Sequence, residues 1–336
     1  MDDEPFIEAL ERIARELRSN TLEEHINGIR NPPMSWLALR DMDFNYDWLV
    51  EKFWPVGTHL HIFASPKTGK SLLMLWVAAS LAIGKDPFSH DSIKQHRVSY
   101  IDNEMTLKDV HDRTMDMGFD FEQLEGWLQY HPYPLLAPMD TEQGGWDTLQ
   151  LMIDDDSSVL VIDTLSRVVK GEENSNDTYR NFYNHTGRLL RSHEISLARL
   201  DHAGHDPKKS RGASAKADDV DLVYGLERRS DKDESPGFKL TRTHSRVSGV
   251  LEFIELALID NDQQPMSIKR TDVRTWSQGA IRKAKELESL GIPIEVSVRE
   301  AQRLMKVAGT VAGKSIVLQE AIRLRKYSDP INNFLR

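Results

Sequence analysis

The segment from His59 to Ala82 most constrains what this chain can fold into. It reads HLHIFASPKTGKSLLMLWVAASLA, so an apolar run leads into a short loop and a long apolar helical pattern follows. The centre, from Ala64 to Ser71, fits the spacing of a loop that binds phosphate, with Ala64 at a position where glycine is usual. Strand, loop and helix in this order predict the nucleotide-binding part of an α/β domain.

The chemistry of phosphate binding explains this spacing. Backbone N–H groups of the loop and the positive end of the helix converge on phosphate oxygens, and Gly69 lets the backbone approach closely. We expect Lys70 to reach the β- and γ-phosphates and the Ser71 hydroxyl to hold Mg²⁺. Pro66 removes one N–H group from the loop. The predicted contacts with ATP come from nine consecutive residues: Ala64, Ser65, Pro66, Lys67, Thr68, Gly69, Lys70, Ser71 and Leu72.

Two carboxylates complete the predicted site. Asp163 ends the apolar run VLVID, and we expect it to join Ser71 in holding the Mg²⁺ shell. Glu104 follows the run VSYID, where a carboxylate can accept a hydrogen bond from water and direct that water at the γ-phosphorus. Asp102 has the same direction in a continued strand and is the alternative. Glu104 is preferred because it lies further out of the strand.

Strands alternate with helical stretches along the chain, which predicts an α/β fold with a mostly parallel sheet flanked by helices. Three segments are expected. Residues 1–44 form an amphipathic helix and a linker, residues 45–262 the ATPase domain, and residues 263–336 a small helical module. The amphipathic helix packs either on its own domain or on a neighbouring subunit. Later strands are predicted at Ile195–Asp201, Asp221–Glu227, Phe238–Thr243 and Leu251–Leu258.

Composition and charge exclude several classes of protein. The chain lacks cysteine, so disulfides and thiolate metal sites are excluded. No apolar run is long enough to span a bilayer, and the acidic N-terminus does not resemble a signal peptide. We therefore expect a cytoplasmic protein without membrane contact. The net charge of −10 argues against a protein covered in basic DNA-binding surface.

The C-terminal segment differs from the rest of the chain in charge. Residues 263–336 contain 14 Lys and Arg against 7 Asp and Glu, a net charge of +7, so the preceding residues carry −17. Helical patterns at residues 278–290, 297–307 and 313–327 fit two structures. One is a helix-turn-helix that binds DNA, and the other is a plain helical packing module. The basic residues that the first would use are Lys314, Arg323, Arg325 and Lys326.

Several motifs together resemble a known superfamily. The sequence IDNEM around Glu104 resembles the IDxE segment of RecA-like recombinases and hexameric helicases, and WLVEKFWPVGTHLHIFASPKTGKS is similar to the phage and plasmid, RepA-like branch. The resemblance covers about residues 45–260. It implies that His202 senses the γ-phosphate and that Arg246 reaches the γ-phosphate of a neighbouring subunit. An arginine acting on a neighbour implies a homo-oligomer, with a hexamer as the expected form.

The same resemblance assigns the segment after His202 to DNA binding. In the superfamily this loop faces a central channel and contacts the DNA backbone, and the basic residues here suit phosphate contacts with single-stranded DNA. Arg211 is also an alternative finger, and His205 is a weaker alternative to His202. The predicted DNA contacts are Lys208, Lys209, Arg211 and Lys216.

Three functions agree with these motifs. The leading hypothesis is a DNA-stimulated, helicase-like ATPase that acts on single-stranded DNA in phage or plasmid replication or repair. The second is a recombination ATPase that assists strand annealing or exchange. The third is a regulator or defence component that is switched by nucleotide. The fold alone does not separate them, because one fold supports many functions.

Overall fold

The structure, a computed structural model, divides into two compact units, residues 1–270 and 271–336. The predicted N-terminal helix at residues 3–18 lies outside the described residues, as do Lys208, Lys209, Arg211 and Lys216. The described residues are 35–41, 46–172, 175–203, 218–229, 236–261, 264–271, 278–311 and 315–326.

Strands and helices alternate through most of the first unit. Its elements are α1 (Trp36–Asp41), β1 (Trp48–Val50), β2 (Trp54–Pro55), β3 (His59–Ala64), α2 (Lys70–Ala82), β4 (Val98–Asp102), α3 (Leu107–Asp116), α4 (Phe121–Leu124), β5 (Leu128–Pro132), α5 (Glu142–Asp154), β6 (Val159–Asp163), α6 (Leu165–Val168), α7 (Asn176–Phe182), α8 (Arg188–Ser192), β7 (Ser196–His202), β8 (Leu222–Arg229), β9 (Gly237–Ser245), β10 (Phe253–Asn261) and β11 (Gln264–Arg270). A π-helical turn, Tyr183–Gly187, joins α7 to α8. No helix in the described parts of the chain is long and apolar enough to cross a membrane.

Nine strands form one sheet in the order β11-β10-β9-β8-β3-β7-β6-β4-β5. The six strands from β8 to β5 run parallel, whereas β9, β10 and β11 pair antiparallel. The strand that leads into the phosphate loop, β3, is therefore interior and has a parallel neighbour on each side. The predicted fold class, an α/β fold with a mostly parallel sheet flanked by helices, is confirmed.

Strand β6 shows why both faces of this sheet are covered. Successive side chains of a strand point to opposite faces. Val159 and Val161 join the apolar cluster that also contains the buried side of α2, whereas Leu160 and Ile162 join a second cluster with residues of α5 and α7. All four side chains are fully buried. A continuous apolar run of this kind is typical of a parallel strand with helices on both sides.

Two strands of the sheet were not predicted from the sequence. Strand β5 lies at the edge of the sheet and is only half-buried. Its polar residues Gln129 and His131 interrupt the apolar run from which a strand would be predicted. Strand β11 pairs with β10 from Leu256↔Arg270 onward, so the sheet extends past residue 262. The change in charge near that residue therefore precedes the end of the sheet.

The second unit is helical. It contains α9 (Gln278–Ser289), α10 (Val298–Val307) and α11 (Ser315–Lys326), which contribute to one apolar core. The side chain of Arg325 is buried and its guanidinium donates a hydrogen bond to the carbonyl of Ile292. Arg325, one of the basic residues that a helix-turn-helix would use on DNA, is therefore packed inside the unit and does not face phosphate. Lys314 and the side chains of Arg323 and Lys326 lie outside the described part of the unit.

Candidate functional site

The phosphate loop joins the end of β3 to the start of α2. The Thr68 hydroxyl donates to the carbonyl of Ser65 at 2.7 Å, which closes the loop into a tight turn. No side chain caps the first turn of α2, and that turn contains no acidic residue. The N–H groups and positive dipole of this helix end therefore stay available to an anion.

Gly69 is the residue that lets the loop turn into the helix. Its φ of +102° lies in the left-handed region, which residues with a Cβ rarely adopt. A Cβ built on Gly69 would lie 2.7 Å from the ring of Phe238, which belongs to β9. Both the backbone angle and the packing thus require glycine here. The sequence motif indicates the first requirement, whereas Phe238 enters only through the tertiary fold.

Asp163 ends β6 and lies opposite Asp102, the last residue of β4, in the register of the two parallel strands. The Asp163 carboxylate is completely buried, and burial raises its pKa to about 6, while the Ser71 hydroxyl and Lys70 act in the opposite direction. Its Oδ2 accepts a hydrogen bond from the Tyr100 hydroxyl at 3.1 Å. No hydrogen bond of ordinary geometry reaches its buried Oδ1 from the described residues, although the Ser71 hydroxyl is close enough to lower the pKa of the carboxylate.

This unpaired oxygen fits a cation. A buried carboxylate oxygen without a partner is costly unless a hydrogen bond or a metal ion compensates it. The nearby Ser71 hydroxyl and Asp163 carboxylate are oxygen ligands, which Mg²⁺ prefers, and Mg²⁺ commonly keeps few protein ligands beside water and phosphate. The residues present therefore fit Mg²⁺ at this position.

The structure separates the roles of Asp102 and Glu104. Asp102 is completely buried, and its Oδ1 accepts hydrogen bonds from the backbone N–H groups of Glu104 at 2.8 Å and Met105 at 2.9 Å. Its Oδ2 accepts a hydrogen bond from the Tyr130 hydroxyl at 2.8 Å. Both oxygens of Asp102 are thus engaged, and Oδ1 shapes the turn that carries Glu104. The Glu104 side chain, 27% exposed, remains accessible to water.

His202 brings the end of β7 to the same place. It pairs in register with Ala64, the first residue of the phosphate loop, because β7 lies beside β3 in the sheet. Its Nε2 lies 3.4 Å from Oε1 of Glu104. The two side chains that were predicted to act on water and γ-phosphate therefore meet beside the phosphate loop. His205, the weaker alternative, lies outside the described residues.

Arg246 lies near the opposite end of the parallel strands from the phosphate loop. It directly follows Ser245, the last residue of β9, which pairs with Leu222 at the start of β8. Leu222 pairs in turn with Leu60, near the start of β3. The strand β3 runs from there to Ala64, roughly 13–16 Å at about 3.3 Å per residue, which an arginine side chain does not span. The structure therefore does not bring Arg246 to the phosphate loop of its own chain. His244, two residues before Arg246, has a buried Nε2 without a hydrogen-bond partner among the described residues.

Two tyrosines of the site were missed in the sequence. Tyr100 donates to Asp163, and burial raises its pKa well above the ordinary value. Tyr130 donates to Asp102, and burial likewise raises its pKa. Both hydroxyls therefore stay protonated and act as donors to the two buried carboxylates. Tyr100 could have been found from its spacing of two residues before Asp102, but Tyr130 lies on the edge strand β5, which has no clear sequence signal.

Comparisons with known proteins give one family match and two distant structural similarities. The sequence profile described as "AAA domain" matches residues 34–208. No curated protein matches the chain. A KaiC-like protein from Pyrococcus horikoshii superposes with a TM-score of 0.49 at 14% identity, covering 68% of this chain and 100% of that one. The flagellar accessory protein FlaH from Methanocaldococcus jannaschii gives 0.45 at 13% identity, covering 64% and 90%. The matched family region contains the phosphate loop, Glu104, Asp163 and His202, and it ends before Arg246.

Replacing Gly69 by alanine should weaken binding of ATP by about tenfold or more, because a left-handed backbone with a Cβ costs roughly 1–3 kcal/mol and the methyl group also contacts Phe238. Titration with a fluorescent ATP analogue measures the affinity. Gly126→Ala is the matched control, since Gly126 has a φ of +75° but open space around its Cα. Unchanged ATP affinity in a folded Gly69→Ala protein would contradict this account of the loop.

Proposed function

The chain belongs to the AAA domain family, and on that premise we propose that it hydrolyses ATP at the carboxyl edge of its parallel sheet. The observation that carries the proposal is the meeting of Glu104 and His202 at 3.4 Å beside the phosphate loop. An acid and an imidazole at this point can act on water and on the γ-phosphate. The uncapped start of α2 can hold the phosphate groups of ATP.

The loop residues bind and orient the nucleotide in this proposal. Backbone N–H groups of the loop between Ser65 and Ser71, other than at Pro66, and the ammonium of Lys70 hold the β- and γ-phosphates. Ser71 and Asp163 would hold Mg²⁺, which neutralises phosphate charge when bound. Tyr100 fixes Asp163 in place by its hydrogen bond to Oδ2, so that Oδ1 would remain available to hold Mg²⁺.

Glu104 and His202 carry out the reaction with water. Glu104 accepts a hydrogen bond from the attacking water and orients its oxygen toward the γ-phosphorus. The bond from that phosphorus to the oxygen that bridges it to the β-phosphate then breaks, and ADP and inorganic phosphate are the products. His202 donates a hydrogen bond to a γ-phosphate oxygen. Because Asp102 holds the backbone of Glu104, the turn that presents the Glu104 carboxylate to the water is fixed.

Glu104→Gln should retain ATP affinity and lose hydrolysis by a factor of about 10²–10⁴, because the amide is a poorer acceptor for the water proton. Lys70→Ala should lose hydrolysis through loss of phosphate contacts. Phosphate release and binding of a fluorescent ATP analogue, measured on the same samples, separate the two effects.

Glu125→Gln is the control for Glu104→Gln, since Glu125 is an exposed residue after α4. It should hydrolyse ATP at the wild-type rate. A wild-type rate in Glu104→Gln would instead rule out Glu104 as the residue that acts on water, and Asp102 would be tested next.

We propose further that Arg246 completes the active site of a neighbouring subunit, so that the active form is a homo-oligomer, a hexamer in the leading hypothesis. Arg246 lies near the opposite end of the strands from Ala64, too far to reach the phosphate loop of its own chain. This position supports the proposal, because a nucleotide that Arg246 contacts must then be bound by another subunit. An arginine at the γ-phosphate stabilises charge that develops as the phosphate is transferred. Hydrolysis would then depend on assembly.

Arg246→Ala should bind ATP and assemble but hydrolyse slowly, by a factor of about 10³ if it matches other arginine fingers. A mixture with Lys70→Ala should regain activity, because one kind of interface then contains both an intact loop and an intact arginine. Phosphate release across mixing ratios measures the recovery. No recovery, with mixing verified by native mass spectrometry, would exclude this role for Arg246.

The proposed substrate of the motor is single-stranded DNA, as in phage or plasmid replication or repair. The segment 204–217 starts after Ala203, next to His202, and ends before Asp218, whose carbonyl accepts a hydrogen bond from Arg246. The basic residues Lys208, Lys209, Arg211 and Lys216 thus lie in the chain between two proposed catalytic residues. Since residues 1–262 carry −17, gathered positive charge is where a strand could approach.

Replacing Lys208, Lys209 and Arg211 by alanine should weaken binding of single-stranded DNA and remove DNA stimulation of hydrolysis. On single strands the log–log slope of affinity against salt is about −0.7 per phosphate contact, so the slope should flatten. Fluorescence anisotropy with a labelled oligonucleotide at several salt concentrations measures both quantities. An Arg211→Ala single variant separates DNA contact from a finger role.

Unchanged affinity and slope in the triple variant would reject this loop as the DNA contact. Unwinding of a forked duplex by the wild-type protein would distinguish a helicase from a recombination ATPase. Absence of any DNA effect on hydrolysis would favour the nucleotide-switched regulator.

A further inference from the structure

A buried arginine outside the ATP site has no role in the chemistry described so far. Arg199 lies in the interior strand β7, and its side chain is 1% exposed. Its guanidinium donates two hydrogen bonds to the Asp219 carboxylate, at 2.9 Å and 2.6 Å, and it lies over the ring of Phe182. Burying such a pair costs desolvation that an apolar pair avoids, so stability alone is a weak reason for its presence.

The pair holds a short stretch of chain, Asp218–Asp221, which we call the anchor segment. Arg191 adds to the attachment, since it forms an ion pair with Asp221 at 3.0 Å and donates to the Asp219 carbonyl at 3.3 Å. The backbone N–H of His59 donates to the Asp221 carboxylate at 2.8 Å, and the Asp221 N–H donates to the His59 carbonyl at 2.9 Å. The anchor segment is therefore attached to β3, β7 and α8.

The anchor segment in turn holds Arg246. The backbone N–H of Arg246 donates to the carbonyl of Asp221 at 2.8 Å, and its guanidinium donates to the carbonyl of Asp218. An exposed arginine has many rotamers, and ordering it costs entropy. The two carbonyls restrict both the backbone and the far end of this side chain.

We propose that Arg199 and Asp219 are positioning residues for Arg246 and set the direction in which it leaves its own subunit. The proposal rests on the proposed role of Arg246 in a neighbouring site. The planar guanidinium of Arg199 meets the carboxylate in a two-point contact, which fixes orientation as well as distance. Asp219 directly follows Asp218 in the chain, so a shift of its carboxylate moves the carbonyl that holds Arg246. Asp219 thus acts through Arg246 and does not touch nucleotide.

The test uses Asp219→Asn and the double variant Arg199→Met with Asp219→Leu. The first removes the charge of a residue that is about 10% exposed, and the second replaces the buried pair by apolar side chains, which leaves no unpaired charge. Both should bind a fluorescent ATP analogue as tightly as the wild type. Their kcat should fall by about tenfold to a hundredfold, the size expected when a catalytic group is misplaced by about 1 Å.

Subunit mixing gives the readout that a merely structural role would not affect. Each variant mixed with Lys70→Ala should regain hydrolysis, because the variant keeps an intact phosphate loop and Lys70→Ala keeps an intact arginine. Each variant mixed with Arg246→Ala should not, since both then lack a working arginine. Asp177→Asn, which breaks the exposed ion pair with Arg180, is the control and should behave as wild type.

Three outcomes would overturn the proposal. One is a wild-type kcat in the double variant, and another is recovery of a variant on mixing with Arg246→Ala. The third is a variant that melts like the wild type but fails to recover with Lys70→Ala. If Arg246→Ala itself fails to recover with Lys70→Ala, the proposed role of Arg246 fails first, and that result is visible without any Arg199 or Asp219 variant.

Discussion

The parallel pairing of β4, β6, β7 and β3 is the constraint on which the rest of this structure depends. Parallel strands end at the same edge, so the residues that follow them meet there although they are far apart in the chain. Ala64 pairs with His202, and Asp102 pairs with Asp163. Without this register, the phosphate loop would have no acid and no imidazole beside it.

The two buried carboxylates at that edge differ in what their oxygens bind. Asp102 has both oxygens occupied, by two backbone N–H groups and the Tyr130 hydroxyl. Asp163 has one oxygen bound to Tyr100 and the other without a partner among the described residues. A satisfied buried carboxylate shapes the backbone, whereas an unsatisfied one leaves room for a cation. The same residue type at the end of two adjacent strands therefore supports two different roles.

A second group of charges lies toward the opposite ends of these strands. Arg199, Arg191, Asp219 and Asp221 connect the starts of β3 and β8 to the residue that follows β9. If Arg246 serves a neighbouring subunit as we propose, this layout separates the site for the chain's own nucleotide from the residue that acts on the neighbour. In that proposed oligomer, coupling between subunits would pass through the sheet, because the same strands carry both groups of residues.

The sequence by itself determined the fold class, the phosphate loop and most strands. Apolar runs and the loop motif are local patterns, which can be recognised without knowing the segments that pack against them. It also selected Asp163 and Glu104, at or just past the end of such a run, whereas His202 came from the resemblance to RecA-like proteins. Only the tertiary structure decided what these residues contact. Tyr130 lies on a half-buried edge strand without a clear pattern, and Phe238 reaches Gly69 from 169 positions along the chain. Arg325 is among the basic residues that a DNA-binding helix-turn-helix would use, yet it is buried, since charge in a sequence does not reveal which face of a helix a residue occupies. Hydrogen bonds and packing between distant segments follow from strand order, which local patterns do not specify.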